Sequence, residues 1–337
     1  MFGSSNPYAQ PGETQLTIST RNLRSTDHYN RNVEQLQRQT LGSYVLNTQH
    51  AFDFNVTHVF TERFSMSFGL PFIAASWGIP SPTTAGPSAR ANQQANGIGD
   101  ISVSGRTWIF PTNRFRAGNL AVGAGVKAPT GDHRATDVFP NINGTNPKEK
   151  PVDQSVQPGD GGWGVTFELQ GFRRIPHGQL FGTFSYLANP RDHNDTTSIG
   201  YNISAAATPP INPDGTSYNS VPDQYLARLG GAFPLGKTGF VGSMSWHVEG
   251  LPRYDVFGES HGFRRPGVEM FIEPGLSYAK GSHIYNFSVP IAYYRNRFPN
   301  PITGNAGDAT FPNYIFLASY SWRFGGRNGT SDAALCQ

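Results

Sequence analysis

"GGWGVTFELQGF" (Gly161 to Phe172) has two readings, one for its odd positions and one for its even positions. Trp163, Val165, Phe167 and Leu169 are apolar, while Gly164, Thr166, Glu168 and Gln170 between them are small or polar. A period of two predicts a β-strand with two unlike faces. The fold turns on which face is wet and what the other face touches.

Composition narrows the choice. The chain has 337 residues, enough for one large domain or two ordinary ones. Charged residues are 15% of it, against about 25% in a typical soluble protein. With 24 Phe, 14 Tyr and 39 Gly, the balance favours an all-β protein. A net charge of +3 is too small to argue for a nucleic-acid partner. A single cysteine, Cys336, excludes an internal disulfide framework and a Cys-based zinc site. No stretch approaches the roughly 18 apolar residues of a membrane helix. "MFGSSNPYAQPGETQ" at the start has no basic region followed by an apolar one, so no signal peptide is read there. Taken alone, that argues against export. With a strand pattern already starting near Gln15, it reads as a mature form or a start placed too late.

The same alternation recurs about a dozen times. "QLTISTRNLRS" (15–25) is a weak first case. "VLNTQHAFDFNVTHVF" (45–60) sets Phe52, Phe54, Val56 and Phe60 against Asn47, Gln49, Asp53, Asn55 and Thr57. "FSMSFGLPF" (64–72), "DISVSGRTWIF" (100–110) and "NLAVGAGVKA" (119–128) follow, then the opening stretch. After it come "QLFGTFSYL" (179–187), "QYLARLGGAF" (224–233), "GFVGSMSWHVEG" (239–250), "GVEMFIEPGLSYA" (267–279), "HIYNFSVPIAYY" (283–294) and "YIFLASYSWRF" (314–324). These strands are longer than the five or six residues usual in soluble sheets and match the 9 to 11 of a tilted membrane strand. Short turns alternate with long links at 26–44, 78–97, 130–160, 188–222, 251–266 and 295–313. That is the connection pattern of an up-and-down barrel.

Aromatic residues sit beside the short turns: Phe60 and Phe64, Phe110 and Phe115, Phe172 and Phe181, Phe233 and Phe240, Tyr278 and Tyr285, with Phe324 closing the last strand. Rings at strand ends read as an interfacial girdle. The expectation is therefore an all-β transmembrane antiparallel barrel over 15–324, with Trp163, Val165, Phe167 and Leu169 facing lipid. A periplasmic segment (1–14) precedes it and a disordered Gly-, Asn- and Ser-rich tail (325–337) follows. His50 and His58 fall on the lipid face; His58 suits the rim, and His50 reads as a bulge or a register error. A large soluble sandwich is the alternative, and it leaves strand length, loop alternation and terminal rings unexplained together.

"GIGDISVSGRTWIF", "GVKAPTGD", "KPVDQSVQPGDGGWG", "NSVPDQYLARLG", "GFRRPG" and "SVPIAYYRNR" resemble a bacterial outer-membrane β-barrel family labelled transporter-like, or linked by name to the meta-pathway of phenol degradation. The resemblance runs from about residue 13 to Phe324. It implies an outer-membrane barrel for small solutes, and aromatic or hydrophobic compounds enter through the label alone. It implies no functional residues. The pattern ending in Tyr320, Trp322 and Phe324 is of the kind read by the barrel assembly machinery, although "GGRNGTSDAALCQ" follows it.

Ionisable residues on the polar face are Asp53, Asp100, Arg106, Lys127, Glu168, Arg228, Glu249, Glu269 and Glu273. They predict a lumen lining of mixed sign, either a network that braces the wall or a selective pore, and both readings can hold together. The long links hold Asp132, Arg134, Asp137, Asp153, Asp160, Arg191, Asp192, Asp195, Asp223, Arg264 and Arg265. Asp and Arg beside Pro and Gly predict ordered loops tied by bidentate pairs and able to gate the mouth. No spacing matches an EF-hand, so no metal site is expected, and no cofactor either. "SMSWHVEG" places Ser245, His247 and Glu249 on one face. A lipid hydrolase would need that row at the lipid side, and here it faces the lumen, so no catalytic residues are expected. "GAGVKAPTG" lacks the Gly-Lys-Ser/Thr order of a phosphate loop. The function expected is passage of small solutes; the alternative is a non-conducting structural or adhesive barrel acting through its loops.

Overall fold

A computed structural model describes residues 9–80, 90–305 and 307–326. Twelve antiparallel strands close into one barrel. They are β1 (Glu13–Asn30), β2 (Leu46–Val59), β3 (Phe64–Pro80), β4 (Arg90–Ile98, resuming as Ser102–Trp108), β5 (Gly118–Lys127) and β6 (Gly164–Ile175). Then come β7 (Gly178–Ala188), β8 (Gln224–Pro234), β9 (Phe240–Leu251), β10 (Gly267–Lys280), β11 (His283–Ser288, resuming as Ile291–Arg297) and β12 (Ala309–Gly325). Pairing of β1 with β12, from Glu13 opposite Gly325 to Tyr29 opposite Ala309, removes both sheet edges. Residues 1–8 and 327–337, which hold most of the expected leading segment and tail and Cys336, lie outside the described residues.

Alternation decides the two faces. Val165, Phe167 and Leu169 are 40%, 49% and 46% exposed, whereas Thr166 and Glu168 between them are buried. In a soluble sandwich that apolar face would be the core; here it is the outside of a closed cylinder, and only a bilayer removes it from water. On β2 the outward row runs from His50 to Phe60. Ten residues at about 3.3 Å each, tilted about 40°, give a belt about 25 Å tall. His50 needs no bulge: β2 pairs with β1 without a shift from Asn47 to His58. His50 stands outward opposite Asn22 and bonds its amide oxygen at 2.6 Å, so it marks the belt's upper edge. His58, at the lower edge, bonds Thr14 at 2.8 Å and packs edge-on against Phe60.

A chain of ring contacts follows that lower rim: Phe60–Phe64, Phe110–Phe115, and Phe240–Tyr278–Tyr285–Tyr320. Phe172 and Phe181 do not join it. They face each other across β6 and β7, on the inward face with Glu168 and Gln170, and Phe172 packs edge-on against Trp108 at 5.8 Å. The parity of the strand, not nearness to a turn, sets which way a ring points.

One link expected as a loop is partly strand. β3 runs to Pro80, and β4 begins at Arg90, within the expected link 78–97. "RANQQANGI" carries no apolar alternation because all of it but Ile98, which lies opposite Phe72, stands above the belt, where neither face meets lipid. Prolines explain the interruptions. Pro290 separates the halves of β11, and Pro71 lies opposite the break in β4, where Gly99 N–H donates to its carbonyl at 2.8 Å.

Candidate functional site

The lumen is built from the inward residues of every strand. It encloses a cavity of about 1030 Å³ that runs from Gln15, Ser277 and Ser321 near the turns to Arg265 and Thr310 near the loops. Hydroxyl, amide and charged side chains line it among apolar ones, with Phe172 and Phe181 on one wall. Six of the nine expected lumen residues line this space: Arg106, Glu168, Arg228, Glu249, Glu269 and Glu273.

They fall into two groups. On one wall Arg106 of β4 bonds Glu168 of β6. Gly123 of β5 lies between them in register, and a side chain there would press on the Glu168 carboxylate. On the other wall His247 of β9 contacts Glu273 at 3.0 Å and Glu249 at 3.2 Å. Arg228 reaches Glu273 at 3.0 Å, and Ser288 donates to it at 2.6 Å. Arg295 meets Glu269 at 3.3 Å and stitches the upper half of β11 to β12, donating to the Pro312 carbonyl at 3.0 Å and to Asn313 at 2.6 Å.

Arg21 of β1 makes the longest reach. Its guanidinium grips Glu249 of β9 with two bonds, 3.0 and 2.5 Å. Three strands, β10 to β12, separate the partners on the shorter way round the wall. Asp53 lies on the inward face of β2, within electrostatic reach of Arg21. The row Ser245, His247 and Glu249 carries no bond from Ser245 to His247 among the described residues. His247 is instead held between two carboxylates.

Asp100 and Lys127, expected in the lumen, sit at the base of the loop Ala128–Trp163. Lys127 bonds Asp160 and, at 3.1 Å, Asp100, while Asp100 accepts from Gly131 N–H at 2.9 Å. That loop folds into the mouth. Val152 and Val156 are fully buried, packed with Phe139 and Ile199 against Trp77, Ile79 and Ala95 of the upper wall. Ser155 meets the lumen face of β2: Asn47 donates to its hydroxyl at 2.8 Å and Gln49 to its carbonyl at 2.5 Å. Asp153 takes two bonds from Arg265, 2.9 and 2.6 Å, and its N–H donates to Gln93 at 2.9 Å. Burial alone would push the Asp153 carboxyl up, but Arg265 and the bonds to Ser155 outweigh it and hold it below the ordinary carboxylate range.

The other loop residues tie neighbouring loops together. Arg264 grips Asp255 at 2.5 and 2.6 Å. Asp223 accepts from Tyr186, Asn189 and Val256. Arg191 bonds the carbonyls of His193 and Gly161 and the carboxylate of Asp195. Asp192 accepts from Glu259 N–H, and Asp137 from Gln94 N–H. Arg134 is exposed, and its N–H bonds Asp132. Among the described residues no three acidic, His or Cys side chains converge on a cation position.

Sequence reasoning missed Arg21, Arg295, Gln93 and Ser155, and read His247 only as part of a hydrolase row. Arg21 was within reach, since it is in phase with Thr17 and Ser19. Ser155 gave no signal, because a loop residue that docks by its backbone carbonyl has no side-chain signature.

No protein-family model matches the sequence, and no curated protein sequence matches it. Solved structures do. An outer membrane channel from Pseudomonas putida F1 superposes with a TM-score of 0.61 at 11% identity, covering 96% of this chain and all of that one. The toluene transporter TodX of Pseudomonas putida gives 0.46 at 8% identity, covering 94% and 90% of the two chains. The translocator domain of the autotransporter NalP from Neisseria meningitidis gives 0.45 at 13%, also covering 94% and 90%. Of these three, the first supports an argument, and at that identity the argument concerns the fold. The chain has the fold of an outer-membrane channel. A closed barrel with this lipid-facing belt is a protein of the bacterial outer membrane.

Proposed function

We propose that the barrel passes small solutes across the outer membrane through its own lumen. One observation carries this reading: the cavity of about 1030 Å³ spans most of the barrel's height, between a hydroxyl-lined wall and the rings of Phe172 and Phe181. A compact aromatic solute bearing a hydroxyl suits that lining, ring against ring and hydroxyl against Ser or Thr. Lipid around the belt is the barrel's other partner. Its terminal strand, with Trp322 and Phe324 outward, would present the barrel to the assembly machinery.

Swelling of vesicles that contain the folded protein tests the proposal. Phenol-sized neutral solutes should enter faster than in protein-free vesicles, and faster than disaccharides. Equal rates with and without protein would refute it. The docked segment 151–158 favours a second reading, in which the mouth stays shut and the loops act as an adhesive surface; binding to cells without solute entry would select it.

A further inference from the structure

We infer that the Arg21–Glu249 pair is a selectivity bar across the lumen, which shuts the pathway to ions of both signs and leaves it open to small neutral solutes. This inference rests on the channel reading above and names the solute class that the lumen accepts.

Topology separates this pair from the others. The other luminal ion pairs named above join strands at most two apart: β4 to β6, β8 to β10, and β10 to β11. Their charges lie along the wall. Arg21 and Glu249 approach from well-separated strands, so their bonded heads stand in the cavity that both residues line. The bar is also held rigid at its acidic end. Glu249 is bonded by His247, His247 by Glu273, and Glu273 by Arg228 and Ser288, a continuous chain across four strands.

The chemistry follows from the two signs. A cation passing the bar meets Arg21, and an anion meets Glu249, Glu269 and Glu273. Either ion must also shed water beside groups already satisfied by each other, so neither is repaid for dehydration. A neutral solute with a hydroxyl meets no such barrier. Ser19, Ser245 and Ser319 line the same space and exchange hydrogen bonds with it. Each half of the bar, left alone, shifts the lumen toward the opposite ion: Glu249 without Arg21 gathers cations, and Arg21 without Glu249 draws anions, since Arg228 pairs Glu273 and Arg295 pairs Glu269.

Reversal potentials in a salt gradient across a planar bilayer read this directly. Wild type should conduct weakly. Arg21→Met should raise conductance several-fold and favour cations, and Glu249→Gln should raise it and favour anions. Cation-to-anion permeability should differ between the two on the order of tenfold. Heat-modifiable gel mobility checks that each variant is folded. A variant that keeps one buried charge alone risks misfolding, so Arg21→Met with Glu249→Gln, and the exchange Arg21→Glu with Glu249→Arg, complete the set. The neutral pair should conduct more than wild type with little preference, and the exchanged pair should return to weak conductance. Folded single variants or a folded neutral pair that keep wild-type conductance and ion preference, or an exchanged pair that conducts like the single variants, would overturn the bar. Vesicle swelling separates the two ideas: solute entry in wild type with unchanged variants sinks the bar alone, whereas no entry in wild type sinks the channel reading.

Discussion

Replacing Arg265 with Met should release the segment that caps the mouth. The segment is held at 151–158 by the Arg265–Asp153 pair, by Asn47 and Gln49 on Ser155, by Gln93 on the Asp153 N–H, and by the burial of Val152 and Val156. Asp153 has no exposed surface, so without Arg265 its charge is buried and uncompensated. Removing one partner of a buried ion pair costs about 3–5 kcal/mol. The segment can escape that penalty by lifting Asp153 into water, which favours opening on the order of 10²- to 10³-fold. Asp153→Asn should do less. It strands Arg265, whose side chain is 22% exposed and partly hydrated already, and a penalty of about 1–2 kcal/mol gives ~10-fold. Opening is measured by the labelling rate of Val156→Cys in a Cys336→Ser background, since Cys336 is the chain's single thiol and Val156 is fully buried when the segment is docked. The rates should rank Arg265→Met above Asp153→Asn above the parent. Equal rates in all three would refute the latch, and faster labelling in Asp153→Asn than in Arg265→Met would refute the account of which charge is stranded.

Three further outcomes follow from the same geometry. Asp153 is buried and Asp308 half-buried, yet both are held below the ordinary carboxylate range, the first by Arg265 and the second by His28 and Arg38. Depressed values mean that the stability they contribute is full above the ordinary range and is lost as pH falls through the depressed values. Pepsin, which works in acid, should therefore cut within the loop 128–163 increasingly as pH drops, and Asp153→Asn should flatten that dependence. On the belt, Phe54→Arg should destabilise the barrel by about 2–4 kcal/mol and His50→Arg by about 0–1 kcal/mol, read from urea unfolding in lipid vesicles; equal losses would mean that the belt's upper edge is misplaced. Phe172 belongs to an interior cluster with Trp108 and Ala121, so Phe172→Ala should lose about 3–5 kcal/mol, and a loss no larger than that of an outward ring such as Phe110→Ala would return it to the girdle.

The barrel was legible because a bilayer imposes a strict rule on each strand: every second residue between the two interfaces must be apolar. Wherever that rule lapses, the sequence falls silent. "RANQQANGI" is strand but, Ile98 apart, stands above the belt, so its polar run looked like a loop. "QLTISTRNLRS" was a weak case for the same reason at its upper end, and Arg21 went unread with it. The parity that sorted Glu168 from Phe167 also placed Phe172 inside, and position beside a turn misled only because it was weighed above parity. Lys127 shares its face with Gly123 and Gly125, and Asp100 lies in the break of β4. What the sequence could not show is that the loop leaving Lys127 turns back at that height and claims them through Asp160 and Gly131. Val152 and Val156 were hidden similarly: two valines among polar residues form a core only when Trp77 and Ile79 meet them.

Hydrogen bonding between strands already fixes the wall, so the luminal charges need a separate reason to be there. Ion pairs between strands two apart, such as Arg106 with Glu168, can brace the cylinder against flattening, and Gly123 between them fits that purpose. A buried pair is weak evidence for stability, because apolar residues of the same volume often serve as well. Arg21 and Glu249 brace no neighbouring strands, and they line the space a solute would use. Filling that height of the lumen with leucine would seal it more simply. A pair of opposite charges, partly in water, seals it against ions while leaving a hydrogen-bonding surface, and that distinction has value in a pathway but none in a plug.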